Sequence, residues 1–117
     1  MKLKIRLYIE DDTNQSFMGI GVLWLLKGIQ KNGSIRKASQ DMKMSYTKAI
    51  TILNNLEKSL NRTILERQKG GNNRKRTSLT AYGEIFLTRY ELFNKKVEDF
   101  CLSEFDDFLI SMEKDTI

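Results

Sequence analysis

Five polar side chains at helical spacing could contact the edges of DNA bases and the phosphates beside them. They are Thr47, Lys48, Thr51, Asn55 and Lys58. Their hydroxyl, amide and ammonium groups form hydrogen bonds over short or medium reach, and no acid stands among them, which is the chemistry expected of a base-reading and phosphate-contacting surface. The sequence therefore predicts that one face of a helix contacts nucleic acid here.

The helix that carries these side chains is predicted to be the second helix of a helix-turn-helix. Ser34 and Ser45 are natural N-caps, because a serine oxygen accepts a free backbone N–H in the first turn of a helix. The interval between them fits one helix of about eight residues and a turn of about three. If the centre of that turn needs a positive φ, Lys43 is strained there. The core stripe of the helix over 45–60 is Ala49, Leu53, Leu56 and Leu60.

A basic hairpin is predicted to follow this helix. Asn61 can end the helix in a left-handed conformation, and Thr63 to Lys69 then form a strand. Gly70 to Arg76, with the sequence GGNNRKR, form a loop before Thr77 to Leu79 return as the paired strand. This loop lacks the order of a phosphate-cradling nucleotide loop and precedes a strand, so we do not interpret it as one.

The N-terminal part is predicted to hold one strand and one helix. Residues 3–9 alternate apolar and polar side chains, which is typical of a half-buried strand, and Asp11 to Ser16 form a loop. The helix that follows and ends near Gly33 has the core-facing residues Val22, Leu25, Leu26 and Ile29. Leu23 and Trp24 fall outside that face, so either the C-terminal helix or a second subunit should cover them, and a lone exposed Trp24 is the alternative.

The C-terminal region is predicted to be helical and rich in exposed aromatic residues. Thr80 can cap a helix over 81–101, and Ser103 can begin a second helix. The sequence therefore allows either one helix or two in this region. The aromatic residues exceed what one small core needs, and either a partner subunit or packing within the monomer would cover them. With Trp24, the predicted dimerisation residues are Tyr90, Phe93, Val97, Phe100, Phe105 and Phe108.

The charge of the chain is divided unevenly along its length. Residues 1–90 hold 17 Lys and Arg against 7 Asp and Glu, a net charge of +10, whereas residues 91–117 hold 3 against 8, a net charge of −5. A basic body suits a polyanionic partner, and an acidic tail should point away from that partner. A merely solvated charged surface would give the same totals.

Length and composition favour one cytoplasmic domain without a cofactor. The 117 residues suffice for one core, no apolar run is long enough for a membrane span, and the N-terminus lacks the apolar centre of a signal peptide. The chain has no histidine, and the single Cys101 cannot make a typical zinc site. We expect no metal, no cofactor and no enzyme, because no nucleophile, base and orienting residue can be assembled from the motifs.

In their order, these features resemble the winged helix-turn-helix domain of LysR-type regulators, and more closely the DNA-binding domain of the molybdate-dependent ModE-type regulators. The resemblance covers about residues 18–90. It is carried by Leu25, Leu26, Ile29, Gly33-Ser34-Ile35, Ala38, Met44-Ser45-Tyr46, Ala49, Leu56-Glu57, Leu60, Glu66-Arg67, Gly70-Gly71, Leu79-Thr80 and Gly83. The chain departs from the family pattern at Val22, Lys43, Asn61 and the Arg74-Lys75-Arg76 run.

The resemblance implies a mainly α fold with a small antiparallel sheet, in which residues 1–90 bind double-stranded DNA and residues 81–117 dimerise. It implies a homodimeric transcriptional regulator with the recognition helix 45–60 in the major groove and the wing 69–77 on the backbone or in the minor groove. The expected DNA-contacting residues are Ser45, Tyr46, Thr47, Lys48, Thr51 and Asn55 on the recognition helix, Ser34, Arg36 and Lys37 at the backbone, and Lys69, Asn72, Asn73, Arg74, Lys75 and Arg76 in the wing.

Two further expectations limit this interpretation. The chain ends at Ile117, where a ModE-type regulator continues, so we expect no molybdate-binding domain and no oxyanion-sensing role. Winged helices also serve as protein-interaction adaptors, and an adaptor without specific DNA binding is the alternative function.

Overall fold

A computed structural model describes residues 1–69 and 75–114, and it is a winged helix-turn-helix with a long C-terminal helix. In chain order the elements are β1 (Tyr8–Glu10), β2 (Ser16–Gly19), α1 (Ile20–Asn32), α2 (Ile35–Asp41), α3 (Tyr46–Leu60), β3 (Leu65–Lys69), β4 (Lys75–Leu79) and α4 (Ala81–Lys114). The mainly α class with small antiparallel sheets agrees with the prediction from sequence. Within the described residues, no helix is long and apolar enough to cross a membrane.

The core lies where α1, α2 and α3 pack against one another and against the start of α4. Leu25, Leu26 and Ile29 of α1 are buried, as the helical spacing predicts. Leu23 is also buried, at 3% exposure, although the sequence placed it outside the core-facing stripe. The reason is that β4 and α4 cover a second side of α1, so this helix buries more than one stripe.

The helix-turn-helix forms as the N-cap pattern predicts. The hydroxyl oxygen of Ser34 accepts a hydrogen bond from the backbone N–H of Lys37, and that of Ser45 accepts one from the N–H of Lys48, both at 3.1 Å. Lys43, in the turn, has a φ of +56°. The left-handed conformation that the sequence suggested for this lysine is therefore present.

The strands β3 and β4, called the wing here, pair as an antiparallel hairpin that is tied to the helix-turn-helix on two sides. Its register pairs Leu65 with Leu79 and Lys69 with Lys75. At the base of β4, the N–H of Thr77 donates to the carbonyl of Gly33 at 3.0 Å. On the other side, the Glu57 carboxylate of α3 accepts from the backbone N–H groups of Ile64 and Leu65. Helix α3 and the wing therefore hold each other in place.

Helix α4 is one unbroken helix of 34 residues, which settles the alternative between one helix and two. Thr80 caps it, because its hydroxyl accepts from the N–H of Gly83 at 3.0 Å. Near its start the helix packs on the core, and Glu91 forms an ion pair with Lys27 of α1. None of its described residues after Tyr90 is buried, and these continue for about 36 Å at the helical rise.

The N-terminal strand is shorter than predicted. The alternating pattern over 3–9 predicted one strand, but only Tyr8–Glu10 is paired, and its partner is the strand Ser16–Gly19, which the sequence analysis missed. Pairing ends at Tyr8 because its partner Gly19 is followed directly by α1, so no strand remains to pair with residues 3–7. Of the polar loop predicted for Asp11 to Ser16, Asp11 to Gln15 form the turn of this hairpin, whereas Ser16 begins β2.

Candidate nucleic-acid interface

The polar face of α3, defined as Thr47, Lys48, Thr51, Asn55 and Lys58, lies opposite the buried stripe of the same helix. At 100° per residue these five positions fall within an arc of about 100°. Of the opposite, predicted core stripe, Ala49, Leu53 and Leu56 are buried, and Leu60 is half-buried against the core. Thr47, Lys48 and Thr51 are exposed, and the Thr51 hydroxyl donates to the carbonyl of Thr47, which leaves its oxygen free to accept.

The first half of the polar face and its second half lie in different electrostatic surroundings. Asp11 and Asp12 of the β1–β2 turn line a cleft together with Asn55 and Lys58. Hydrogen bonds to Asp11, first from the Thr13 hydroxyl and then from the Gln15 backbone, together with the nearby Lys58 charge, lower the pKa of its carboxyl below 3.8. A carboxylate here repels DNA phosphates. The open, acid-free part of the polar face is therefore its N-terminal half.

Tyr46 and Arg36 form a stacked pair where α3 begins. The Arg36 guanidinium carbon lies 4.6 Å from the centroid of the Tyr46 ring, within the range of a cation–π contact. Both side chains are exposed, Tyr46 at 36%. The sequence left open whether Tyr46 supports the core or faces outward, and the structure places it outward, under Arg36.

A polar cleft of about 250 Å³ separates the helix-turn-helix from the base of the wing. It is lined by Ser34, Ile35, Arg36, Tyr46, Arg67 and Thr77. Ser34, Arg36 and Tyr46 are among the residues expected to contact DNA, whereas Arg67 is not and only forms part of the family resemblance. The only signal for Arg67 in the sequence was its polar position in a strand, which does not show what lies across from it.

The predicted wing residues are described only in part. Asn72, Asn73 and Arg74 lie outside the described residues, and Lys69 and Lys75 are the last described pair of the hairpin. Arg76 is exposed, and its side chain passes over Gly33, so that a Cβ added there would lie 3.2 Å from the Arg76 Nε atom. The base of the wing thus brings a further cation to the start of α2.

The residues predicted to dimerise separate into two groups. Trp24, Phe93, Phe100 and Phe108 are exposed, with Phe100 at 65%, and Val97 and Phe105 are half-buried. Tyr90 instead lies in the core of the chain at 4% exposure, where burial raises the pKa of its phenol. Its hydroxyl has no hydrogen-bond partner within the described part of the chain. Little of Tyr90 is left for a second subunit to contact.

The described residues contain no group of three or more histidine, cysteine, aspartate and glutamate side chains that could hold a metal ion. Cys101 is half-buried on α4 and forms no disulfide. The arrangement that remains is a polar helix face beside a cleft rich in arginine, and its chemistry is hydrogen bonding and charge rather than coordination.

Comparison with known proteins agrees with this geometry. Transcriptional regulator ModE of Haemophilus influenzae is 42% identical over 74 residues, which cover 63% of this chain and 29% of that protein. The fold matches the crystal structure of ArgP from Mycobacterium tuberculosis, with a TM-score of 0.51 and 20% identity over 72% of this chain and 29% of that one. It also matches the BenM DBD in its complex with benA site 1 DNA, with a TM-score of 0.55 and 20% identity over 79% of this chain and 97% of that one.

The family assignment rests on the segment from α1 to the start of α4. Residues 23–84 match the bacterial regulatory helix-turn-helix proteins of the lysR family. This segment contains the helix-turn-helix and the wing, and it makes up more than half of the 117 residues. The chain therefore belongs to the lysR family of bacterial regulatory helix-turn-helix proteins.

Proposed function

We propose that this chain is the DNA-binding part of a transcriptional regulator, that it acts in the cytoplasm, and that it binds double-stranded DNA as a homodimer. Helix α3 would lie in the major groove, with the wing on the backbone or in the adjacent minor groove. The observation that carries the proposal is the acid-free N-terminal half of the polar face, exposed beside a cleft flanked by Arg36 and Arg67. Threonine and lysine side chains reach base edges and phosphates from such a position.

The relatives support DNA as the partner. The H. influenzae protein is named a transcriptional regulator, and the BenM DBD was solved on DNA. This chain spans 29% of the ModE protein's length, and the residues 23–84 that match the lysR family contain the helix-turn-helix. The proposal therefore concerns DNA binding, which lies within the matched segment.

The exposed apolar side chains of α4 support the homodimer. Phe93, Phe100 and Phe108 lie on one side of a helix that leaves the core after Tyr90, and nothing in the described chain buries them. Apolar surface of this kind is stabilised by burial against a second copy. Two recognition helices related by a two-fold axis would then contact half-sites about 34 Å apart or a multiple of that distance.

The experiment for DNA binding is selection from a random duplex pool, followed by titration of the selected duplex against salt. If six to ten phosphates are contacted, affinity should fall by roughly three to five orders of magnitude between 50 and 200 mM salt. Lys48→Ala should weaken binding and relax sequence preference, because Lys48 projects from the open half of the polar face. The matched control is Lys95→Ala, which removes the same charge from an exposed position on α4, on the side of the helix away from Phe93 and Phe100.

A salt-independent affinity would contradict the electrostatic part of the proposal. If Lys48→Ala and Lys95→Ala behaved alike, with unchanged sequence preference, the groove-facing side of α3 would be misassigned.

The experiment for the homodimer is light scattering on two variants of α4. Phe100→Asp should give a monomer, because it places a carboxylate in the proposed interface. Leu102→Asp is the control, since it is also exposed and lies about 160° away around the helix, on the side of the Lys95–Asp99 ion pair. A dimer that survives Phe100→Asp but not Leu102→Asp would place the interface on the other side of α4.

An interaction adaptor is the second candidate, and the same exposed side of α4 favours it. If the wild-type protein is a monomer without affinity for any duplex at 50 mM salt, the adaptor function replaces DNA binding. Crosslinking to a different chain through α4 would then be the expected result.

A further inference from the structure

The cleft between α2, α3 and the wing brings two arginines from separate parts of the chain to one place. Arg36 comes from α2 and Arg67 from β3, and both line the cleft with Ser34 and Thr77. We call this the arginine cleft. Its walls are held to each other, because the N–H of Thr77, which lines the cleft, donates to the carbonyl of Gly33, the residue before Ser34. Residues from α2 and from β3 therefore line the same cleft.

The charge in the arginine cleft is uncompensated. Neither Arg36 nor Arg67 forms an ion pair with a carboxylate of the described chain, and no acidic residue lines the cleft. Arg76 approaches the same region, since its side chain passes over Gly33, which directly precedes Ser34. Like charges held together without a counter-charge repel one another and favour an anion between them.

The Tyr46 ring fixes one of the two arginines in advance. Arg36 rests on this ring at 4.6 Å, so the guanidinium is held over the start of the recognition helix before any ligand arrives. A planar guanidinium can stack on a ring with its face and still donate hydrogen bonds from its edge. Tyr46 is then a positioning residue, and Arg36 needs to lose less side-chain freedom on binding.

We propose that the arginine cleft binds one phosphodiester of the DNA backbone, with Arg36 and Arg67 donating to its non-bridging oxygens from opposite sides and Tyr46 positioning Arg36. This rests on the proposed function, and it adds Arg67 and the role of Tyr46 to it. Arginine forks match the geometry of phosphate oxygens. Because the cleft lies between α3 and the wing, the bound phosphate sets how both elements meet the duplex.

The test is a scan in which single phosphates of the selected duplex are replaced by neutral methylphosphonates. In the wild-type protein, one position in each half-site should cost about tenfold in affinity, the loss expected for a charge-assisted hydrogen bond. With Arg67→Gln, the affinity for the unmodified duplex should fall by about the same factor, and the methylphosphonate at that position should cost less than about twofold. Sequence preference should not change, because a phosphate contact carries no base information.

The role of Tyr46 is tested in the same scan. Tyr46→Phe keeps the ring and should keep the sensitive position, whereas Tyr46→Leu removes the ring and should weaken the effect at that position alone. The matched control is Arg62→Gln, because Arg62 stacks on Tyr82 at 5.0 Å in the same manner but follows the far end of α3, about 22 Å away. This control should leave the whole profile unchanged.

The outcomes separate this inference from the proposed function. If the wild-type protein binds no duplex, both are wrong. If it binds but no position loses its sensitivity in Arg67→Gln, the arginine cleft does not hold a DNA phosphate, and the proposed function stands without it. A last experiment measures how much duplex inorganic phosphate displaces from the protein, compared with chloride at equal ionic strength. Suppose that inorganic phosphate displaces the duplex from the wild-type protein, while Arg67→Gln changes the sensitivity of no methylphosphonate position. The arginine cleft then binds a free anion, and its assignment to a DNA phosphate is wrong.

Discussion

The link between α3 and the wing depends on one carboxylate, and removing it is the sharpest test of how the interface is built. Oε2 of Glu57 accepts hydrogen bonds from the N–H of Ile64 at 2.7 Å and from the N–H of Leu65 at 3.2 Å. Ile64 is fully buried, so its amide has no ready access to water. Glu57→Ala therefore leaves a buried donor unpaired at the start of β3.

The expected loss of stability follows from these two contacts. A hydrogen bond to an ionised acceptor contributes about 1.5–3 kcal/mol, and a buried donor left unpaired costs a similar amount. Since Glu57 is only half-buried, we expect Glu57→Ala to lower the free energy of unfolding by about 2–4 kcal/mol. Glu57→Gln keeps an acceptor oxygen without the charge and should lose only about 1 kcal/mol.

Urea unfolding, followed by circular dichroism, measures these differences. The matched control is Glu66→Ala, which removes the same carboxylate from an exposed position of β3 and should change stability by less than about 0.5 kcal/mol. The reasoning fails if Glu57→Ala is as stable as Glu66→Ala, or if Glu57→Gln is as damaging as Glu57→Ala. Either result would mean that the carboxylate does not support the wing.

Three further predictions concern the turns and the start of α4. Lys43→Gly should stabilise the chain by up to about 1 kcal/mol in the same unfolding assay, because Lys43 has a φ of +56°, and a loss of stability would show that its side chain matters more than its backbone strain. Gly83→Ala should destabilise by about 1–3 kcal/mol, because the added Cβ would lie 2.6 Å from the Ile64 carbonyl oxygen, and unchanged stability would show that this contact relaxes freely. The pKa of Asp11 is lowered in the folded state, first by the Thr13 hydroxyl, so the stability that it contributes is present above its unfolded value of 3.8 and is lost as the pH falls through the folded pKa. The stability difference between wild type and Asp11→Asn should thus narrow below pH 3.8, and a difference independent of pH would contradict this role.

Local signals in the sequence predicted the local parts of the fold. Ser34 and Ser45 cap their helices because a cap needs only its own first turn, and Lys43 and Asn61 take positive φ at the helix ends where the pattern placed them. The long helix was also predictable, but not that it is one piece, because a serine can cap a new helix or sit within a continuing one.

The periodicity of a segment does not predict which distant segment packs against it. The alternation over 3–9 indicates a strand wherever a partner exists, and the partner here extends only over Ser16–Gly19. For Leu23 the sequence allowed cover by the C-terminal helix or by a second subunit, and helical spacing alone could not choose between them. Tyr90 was assigned to a dimer interface, but it is buried in the core of the chain. For the same reason the sequence did not predict a role for Arg67, which lines the arginine cleft because β3 lies across from α2 in the fold.

Because α4 is one continuous helix, a residue inserted into it would rotate all the side chains that follow. Each residue inserted between Tyr90 and Phe93 would move the part of α4 that follows by about 1.5 Å and also turn it by about 100° relative to the helix-turn-helix. A single insertion would therefore swing Phe100 and its neighbours out of phase, whereas seven residues would return them to within about 20°. We expect length changes at this point of the helix to be tolerated only in steps that restore the phase.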